Sequence, residues 1–425
     1  MLFQDMSNNV LTFLMFSIIA IVIYYVIPRR GRCLYLITAN ILFYMLCDLK
    51  MFLILGATII WTWLCAQRLE VRRCRGWLAA GVCSLVGLLS LFKYNQYLMK
   101  AVNAVLGAVG MGSISGIWNL LMPLGISYYI FKSISYLVDV YRGKYQAEKS
   151  LIKYALYVSF FPEILCGPIS RYDEFKASLE NGMTYSDENM QRGFYLMLKG
   201  VFMKVVIANR LAGYVGAVFA EPSAYNGIAL WMAAFFYAIW LYCDFAGYSF
   251  IAIGITQLFG LHYKENFNRP YFASNIREFW DRWHISLSDW LRDYVYFPLG
   301  GSRCTRLRSK CNVMVVFLVS GLWHGSGIHF LVWGAYHGLL NVFTPQKRNR
   351  IQSPEHINHV GKKKKVRSAL AVLWNFSLVT LGWIFFGVDS LNTAVTYLKG
   401  MFTNLKISVS EVSLLISVFL ISDSP

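Results

Sequence analysis

Long apolar segments recur along the whole chain and constrain its fold more than any other feature. About 17–25 apolar residues in a helix are enough to cross the hydrocarbon core of a bilayer. Hydrophobic residues make up 57% of the 425 residues, whereas soluble domains usually have about 45–50%. The apolar segments are Val10–Pro28, Leu34–Cys47, Met51–Ala66, Trp77–Phe92, Leu120–Val140, Ala155–Ile169, Phe194–Phe219, Ile228–Gly260, Cys311–Ser320, Ile328–Phe343, Ala369–Phe386 and Val412–Ile421. The pattern predicts an all-α, multi-pass integral membrane protein with about ten or eleven helical elements.

Several of these segments are too short to cross a membrane alone, and glycine and proline interrupt others. The clearest case is Phe161-Pro-Glu-Ile-Leu-Cys-Gly-Pro-Ile-Ser-Arg171-Tyr, where two prolines and a glycine predict a bent element. Exposed backbone groups are tolerated at membrane depth only where protein or a water-filled cavity surrounds them. We therefore expect broken or re-entrant helices around an internal cavity.

Arginine and lysine are concentrated in four clusters that flank apolar segments. By the positive-inside rule, loops rich in lysine and arginine stay in the cytoplasm. The rule predicts that the N-terminus lies outside and that the four clusters lie in the cytoplasm. The first apolar segment follows Asp5 and lacks a small-residue cleavage site, so we interpret it as a retained span and not as a cleaved signal. A polar, flexible cytoplasmic loop is expected over residues 345–367. The clusters are Arg29–Arg32, Arg68–Arg75, Arg303–Lys310 and Lys347–Arg367.

The net charge of +18 raises the question of nucleic-acid binding. The basic residues lie beside predicted spans, and the sequence contains neither a basic soluble domain nor a nucleic-acid motif, so we predict no nucleic-acid partner. Orientation in the membrane and attraction to anionic lipid account for the charge. A contact between some of these groups and an anionic cytoplasmic donor, such as a nucleotide-bearing coenzyme, remains open.

Two Trp-His pairs stand out against this apolar background. His284 lies in Glu278-Phe-Trp-Asp-Arg-Trp-His284, and His324 lies in Ser320-Gly-Leu-Trp-His324-Gly325. An ionisable side chain at membrane depth is usually functional, and histidine moves protons near neutral pH. Small residues after His324 would let a thioester or a hydroxyl approach, and general-base catalysis there is worth about 10²–10⁴-fold. The alternative is a histidine that only joins two helices by hydrogen bonds.

The surroundings of His284 predict an interfacial helix over Asn275–Tyr294. Salt bridges at i, i+4 spacing are expected for Arg277/Asp281 and Glu278/Arg282. His284 would lie near one end of this helix, either as a functional group or as a member of the charge network. The helix would carry an apolar stripe formed by Trp283, Leu287 and Leu291.

Other polar residues allow fewer conclusions. Asp244 is a lone acid in a long apolar segment, where it orients a histidine or an arginine or is protonated and capped locally. His324, His329 and His337 do not share one helical face and HExxH is absent, so we predict no metal site. The nine cysteines form neither CxxC pairs nor a regular framework. The sequence contains no GxSxG elbow, which argues against an autonomous serine hydrolase.

Several motifs, taken in order, resemble those of the membrane-bound O-acyltransferase family, and within it the branch that acetylates alginate. The resemblance covers residues 161–337, which we take as the motif-bearing core of a single acyltransferase domain over residues 1–425. The motifs are Phe161–Tyr172, Asp244–Ser249, Asn266-Phe-Asn268-Arg-Pro270-Tyr, Glu278–Ser288, Leu291–Arg303 and Ser320–Gly325.

The resemblance implies helices around a central tunnel, with acetyl-CoA as the acyl donor from the cytoplasm and a polysaccharide acceptor outside. The family's hallmark histidine corresponds to His324 and its second polar active-site position to His284. Other expected site residues line the tunnel, contact the donor or only anchor the membrane boundary. They are Trp280, Arg282, Trp283, Trp323 and Asp244.

The resemblance also implies an extracytoplasmic partner of the SGNH type, or a similar protein, that accepts the acetyl group. Two alternatives stay open: transfer of D-alanine to teichoic acid by the same fold, and a transporter that binds a polar ligand without chemistry. Gly387 stands where relatives often carry arginine, and the chain is expected to stop before the last spans.

Overall fold

The computed structural model describes residues 10–47, 49–112, 122–164, 166–182, 185–345, 362–403 and 405, and it shows helices and no β-strand in them. Short 3₁₀ turns cover Pro222–Ala224 and Pro270–Phe272, and π-helical segments cover Phe202–Ala208 and Arg292–Tyr296. The helices are α1 (Val10–Val26), α2 (Arg29–Cys47), α3 (Leu49–Val71), α4 (Arg75–Lys93), α5 (Asn95–Ala108), α6 (Ile126–Arg142), α7 (Leu151–Ser159), α8 (Tyr172–Gly182), α9 (Asp187–Val201), α10 (Asn209–Ala220), α11 (Gly227–Leu258), α12 (Ile276–Trp280), α13 (Ile285–Leu291), α14 (Arg306–His324), α15 (Ile328–Phe343), α16 (Lys362–Gly387) and α17 (Leu391–Thr403).

Among these described residues, five helices are long and apolar enough to cross a bilayer, which agrees with a multi-pass membrane protein. The expected number of ten or eleven helical elements is not confirmed. That number was counted from apolar segments, and short helices such as α8 and α12 do not correspond to any apolar segment. The five candidate spans are Leu49–Val71, Arg75–Lys93, Asp187–Ala220, Gly227–Leu258 and Arg367–Gly387.

The chain divides into two compact units, Met1–Lys199 with Tyr248–Lys264, and Gly200–Gly247 with Glu265–Pro425. In the first unit, α6 is mostly buried and packs against α3 and α4. Glycines in the left-handed region flank α6 at both ends, Gly125 with φ 68° and Gly143 with φ 73°. A single acyltransferase domain over residues 1–425 stays a prediction.

The bent element predicted between Phe161 and Tyr172 is confirmed in the first unit. Helix α7 ends at Ser159 and α8 begins at Tyr172, with irregular chain between them. A Cβ atom on Gly167 would lie 2.5 Å from the Cα atom of Glu163, so the bend requires glycine there. Glu163 in this bend is buried and pairs with Lys132 of α6 at 2.8 Å. Each charge compensates the other away from water.

In the second unit, α14 and α15 cross at a point formed by small residues. A Cβ atom on Gly321 would lie 2.4 Å from the carbonyl oxygen of Phe330, and one on Gly334 would lie 2.4 Å from that of Phe317. The two backbones approach closely only because both positions are glycine. Thr305 caps α14 by accepting a hydrogen bond from the Arg308 amide, 3.4 Å away.

The prediction of one continuous helix over Asn275–Tyr294 is wrong. The chain forms α12 and α13, separated by residues 281–284, and continues as a π-helical segment. Two backbone hydrogen bonds draw the chain out of the helix: Asn268 N–H to Arg282 O (2.9 Å) and Ile285 N–H to Asn266 O (3.0 Å). These long-range bonds override the local i, i+4 pattern.

Three further segments differ from expectation or escape comparison. Lys362–Arg367 belong to α16, so the predicted flexible loop is wrong there. Lysine and arginine are good helix formers and extend the apolar helix towards its N-terminus. The rest of that loop after residue 345, and all of Val412–Ile421, lie outside the described residues. Within Leu120–Val140, α6 begins only at Ile126, after the left-handed Gly125.

Candidate active site

A cavity of about 440 Å³ lies in the second unit, between residues of α12 to α15, and both predicted catalytic histidines line it. Trp280 and Trp283 line it as well, so four of the predicted site residues come together. Arg282, Trp323 and Asp244 are not among its lining residues. The cavity is bounded by Arg277, Trp280, Asp281, Trp283, His284, Leu287, Ser288, Leu291, Arg292, Tyr296, Val313, Val316, Phe317, Ser320, His324 and Asn341.

His324 is the last residue of α14. Its ring is surrounded by aromatic side chains, with centroid distances of 4.7 Å to Trp323, 5.1 Å to Trp333 and 5.0 Å to Phe386. This packing limits the positions that the imidazole ring can adopt. The ring is neither fully buried nor fully exposed, which suits a group that must meet a substrate.

The glycines after His324 serve packing. A Cβ atom on Gly325 would lie 1.9 Å from the ring of Phe330, and one on Gly327 would lie 2.2 Å from Nε2 of His329. Protein side chains therefore occupy the space that the sequence led us to expect for an approaching substrate. The approach to His324 must come through the cavity instead.

His284 lies immediately before α13 with φ 44° and ψ 56°, in the left-handed region that non-glycine residues rarely adopt. Its side chain is buried, and its ring contacts Phe245 at 4.8 Å between centroids. Burial lowers the pKa of His284 to about 3, so the imidazole is neutral at physiological pH. The expectation that His284 lies near one end of a helix is confirmed, although the helix is the shorter α13.

The ring of His284 has a defined partner in Asn266. Nδ1 of His284 lies 3.2 Å from Oδ1 of Asn266, and the same oxygen accepts hydrogen bonds from the Ser286 amide (3.1 Å) and hydroxyl (2.9 Å). Nε2 of His284 is buried and makes no hydrogen bond within the described residues. A buried nitrogen of this kind calls for an explanation.

One wall of the cavity carries charge. Arg277, Asp281 and Arg292 line it. Arg277 donates to the carbonyl oxygens of Asn341 (3.0 Å) and Thr344 (3.1 Å), so the expected salt bridge to Asp281 is wrong. The backbone of the pair remains helical, since the Asp281 amide donates to the Arg277 carbonyl oxygen (3.0 Å), but the guanidinium group of Arg277 is engaged by the two carbonyl oxygens instead. The cavity thus joins a charged wall to the apolar, histidine-bearing interior.

The other expected contacts of this region are present. Glu278 and Arg282 form the predicted ion pair at 2.5 Å. The predicted apolar stripe is buried, with Trp283, Leu287 and Leu291 each 4% exposed. Arg282 is thus engaged with Glu278 and does not line the cavity.

Trp323 lies beside both catalytic candidates without lining the cavity. Its ring centroid is 6.1 Å from that of His284 and 4.7 Å from that of His324. Trp323 therefore connects the two histidines by packing.

Asp244 pairs with Lys204, which lies in the π-helical segment between α9 and α10. The sequence led us to expect a histidine or arginine partner, or a protonated acid; the partner is a lysine. Lys204 is one of three basic residues in the apolar segment Phe194–Phe219, with Lys199 and Arg210, and which of them pairs with Asp244 depends on the fold.

The remaining histidines considered for a metal site have other surroundings. Nδ1 of His329 lies 2.9 Å from the carbonyl oxygen of Phe385. His337 is fully buried among the rings of Trp280, Trp333 and Trp383. Among the residues described, no group of three or more His, Cys, Asp or Glu side chains could hold a metal ion.

The geometry suits proton transfer to or from a hydroxyl that enters the cavity. One histidine at a helix end and one neutral, oriented histidine face the same volume. Asn266 was missed as a site residue, although it lies in a quoted motif, because eighteen residues separate it from His284.

Comparison with known proteins agrees with this chemistry. The model of the membrane-bound O-acyltransferase family matches residues 143–359. The probable alginate O-acetylase of Pseudomonas aeruginosa is 35% identical over 402 residues, covering 93% of this chain and 74% of that protein. That of Azotobacter vinelandii is 34% identical over 402 residues (93% and 78%). The peptidoglycan O-acetyltransferase of Helicobacter pylori is 31% identical over 400 residues (87% and 73%).

His284 and His324 lie within the residues that the family model matches, and within the part of the chain that these relatives cover. The chain therefore belongs to the membrane-bound O-acyltransferase family and is an acyltransferase.

Proposed function

We propose that this protein transfers an acetyl group from cytoplasmic acetyl-CoA to a hydroxyl of an extracytoplasmic polysaccharide, alginate or another cell-surface polymer. The observation that carries the proposal is that His284 and His324 line one cavity. The relatives support the acetyl group and the polymer, because they are named for acetyl transfer to alginate and to peptidoglycan.

In the proposed step, His324 is the general base. It takes the proton of the acceptor hydroxyl while that oxygen attacks the thioester carbonyl carbon. The new carbon–oxygen bond forms, the carbon–sulfur bond breaks, and the thiolate takes the proton from His324 and leaves as the thiol. The neutral His284 supports this step by accepting a hydrogen bond from a donor group of the bound substrate other than the reacting hydroxyl.

The two substrates would reach the cavity from opposite sides of a bacterial cell membrane through a tunnel. The basic clusters support this orientation, with the N-terminus outside. Trp280 and Trp283, which line the cavity, would contact the donor or the acceptor. Arg277 on the charged wall, which donates to backbone carbonyl oxygens and keeps its positive charge, would contact the anionic coenzyme.

A partner protein completes the proposal. The sequence offers no GxSxG elbow for handing the acetyl group to a sugar. We therefore propose that an extracytoplasmic partner of the SGNH type, or a protein of similar chemistry, supplies the hydroxyl that attacks the thioester and then passes the acetyl group to the polymer.

The test replaces each histidine by alanine and measures base-labile acetate on surface polysaccharide, with the amount of folded protein in the membrane as reference. His324→Ala should reduce acetate by about 10²-fold or more, the range of general-base catalysis. His284→Ala should also reduce it. The matched control is His262→Ala, because His262 is exposed.

The outcomes separate the alternatives. Unchanged acetate in a folded His324→Ala protein would remove His324 from catalysis. Alanine in place of acetate in the wild-type envelope would indicate D-alanyl transfer. Purified protein that consumes no labelled acetyl-CoA, with partner and acceptor present, would indicate a transporter.

A further inference from the structure

The structure defines which nitrogen of His284 carries the proton, and Asn266 makes this possible. The Asn266 side chain is buried, 1% exposed. Its Oδ1 atom lies 3.1 Å from the Ser286 amide nitrogen. A backbone N–H can only donate, so the amide atom that faces it must be the oxygen.

That assignment fixes the tautomer of His284. Nδ1 lies 3.2 Å from the same Asn266 oxygen, which can only accept, so Nδ1 must carry the hydrogen. In a neutral imidazole the other nitrogen, Nε2, then carries the lone pair. Nε2 is buried and makes no hydrogen bond within the described part of the chain, while the residue itself lines the cavity.

The backbone reinforces this arrangement. The Ile285 amide donates to the backbone carbonyl oxygen of Asn266 (3.0 Å). Asn266 therefore binds the segment that follows His284 through both its backbone and its side chain. His284 is held at φ 44° between these contacts. A left-handed backbone is strained for a non-glycine residue and persists where surrounding contacts over-determine it.

We propose that Asn266 is a positioning residue that keeps His284 in the Nδ1–H tautomer, so that Nε2 is a fixed hydrogen-bond acceptor for a donor group of the bound substrate other than the reacting hydroxyl. Asn266 acts through His284 and does not itself touch the substrate. The inference rests on the proposed function, because it specifies how the supporting histidine of that site works.

Asn266→Asp tests the tautomer while almost preserving shape. The three donors that converge on the side-chain oxygen favour the ionised carboxylate. A carboxylate beside Nδ1 raises the pKa of His284 relative to the wild type, and the resulting imidazolium has no lone pair at Nε2. The charge on His284, and with it activity, then depends on pH in the variant.

Other charged groups near His284 are the same in both proteins, so the comparison isolates the substitution. On the α11 side the ring meets Phe245, and the adjacent Asp244 is paired with Lys204. The titratable groups that line the cavity with His284 are Arg277, Asp281, Arg292, Tyr296 and His324.

The experiment measures acetyl transfer against pH for the wild type, Asn266→Asp and a control, Asn392→Asp, whose asparagine is exposed on α17. Below the raised pKa of His284 in the variant, Asn266→Asp should be less active than the wild type, by up to about 10²-fold at the acid end of the range. Its activity relative to the wild type should recover as pH rises, because deprotonation restores the acceptor at Nε2. The control should follow the wild-type profile.

A constant ratio of variant to wild-type activity across pH would overturn the inference, since it would mark Asn266 as merely structural. A wild type that transfers no acetyl group would instead overturn the proposed function. Equal activity of Asn266→Asp and the wild type at every pH would also contradict the positioning role.

A second measurement does not depend on activity. Nitrogen-15 NMR of labelled histidine, with His284 assigned by its loss in His284→Asn, distinguishes the two tautomers and the imidazolium. The wild type should show protonated Nδ1 and unprotonated Nε2, and Asn266→Asp should become protonated at both nitrogens at a higher pH than the wild type. Protonated Nε2 in the neutral wild-type ring would overturn the inference.

Discussion

The imidazole of His284 combines three properties: a left-handed backbone, nearly complete burial and, among the described residues, one hydrogen-bond partner for its ring, Asn266. Burial favours the neutral form, and the Asn266 oxygen selects one neutral form over the other. A histidine prepared in this way accepts a hydrogen bond without first changing its charge. This suits a supporting role beside His324, which is packed among aromatic rings at the end of α14.

Acid stability offers a test of the buried neutral state of His284. Its folded pKa is lowered to about 3, against about 6.5 in the unfolded chain, so the stability gained from the neutral ring is fully present above about pH 6.5. That stability is lost progressively as pH falls from about 6.5 towards 3. His284→Asn removes the titration, and asparagine tolerates the left-handed backbone.

Between about pH 7.5 and pH 5, the wild type should therefore lose more free energy of unfolding than His284→Asn, by on the order of 2 kcal/mol. Thermal unfolding in detergent at both pH values measures the difference. An equal loss in both proteins would show that His284 is already protonated or solvated in the folded state.

At single residues, the sequence alone predicted some members of the candidate site and not others. His284 and His324 were identified as chemical residues because an ionisable group is conspicuous in apolar surroundings, and they do line one cavity. Asn266 and the Lys204 partner of Asp244 were not predicted. Both pairings bring together side chains distant in sequence, and neither follows from periodicity.

At the scale of elements, the crossing of α14 and α15 supports the site, because α14 carries Phe317, Ser320 and His324 to the cavity and α15 carries Asn341. Gly321 and Gly334 set the distance between the two backbones. Small residues at a helix crossing allow such close approach, as is common in membrane proteins.

Gly334→Ala should separate the helices and destabilise the protein, since its Cβ atom would lie 2.4 Å from a backbone oxygen that cannot rotate away. The control is Gly213→Ala in α10, where a Cβ atom meets nothing within 4 Å. That control should be neutral or slightly stabilising, because alanine is favoured over glycine in helices by about 1 kcal/mol. Thermal unfolding of the two variants, with acetyl transfer by the surviving protein, measures both effects.

If Gly334→Ala were as stable and active as Gly213→Ala, the close crossing would not support the site. The sequence shows that α14 and α15 surround a short turn, but it does not show their contact distance. Similarly, the i, i+4 charges over Asn275–Tyr294 indicated one helix, while backbone bonds to Asn266 and Asn268 divide it into α12 and α13. Local pattern predicts helices well; where they break depends on distant partners.

For the molecule as a whole, apolar segments predicted the fold class, because in a membrane every backbone group must be satisfied within the chain. The number of elements could not be predicted in the same way. Short helices such as α8 and α12 contribute no apolar segment, and their formation depends on caps and neighbours. Motif order gave the family correctly, since a run of several motifs is far more specific than any single one.

The orientation of the molecule in the membrane is testable at two native cysteines. Cys74 is exposed and lies within the Arg68–Arg75 cluster, immediately before α4. Cys83 is also exposed, but lies nine residues farther along, within the candidate span Arg75–Lys93. Nine residues of helix correspond to about 13 Å, which places Cys83 at the depth of the hydrocarbon core.

If the basic cluster faces the cytoplasm, a membrane-impermeant maleimide should modify Cys74 in inverted membrane vesicles and leave it unmodified in intact cells. Cys83 should resist the reagent in both, because a thiolate does not form in hydrocarbon. Peptide mass spectrometry resolves the two sites, and Cys74→Ser removes the expected signal. Modification of Cys74 in intact cells would place the cluster outside, and acetyl-CoA would then have to enter from the side opposite to this cluster.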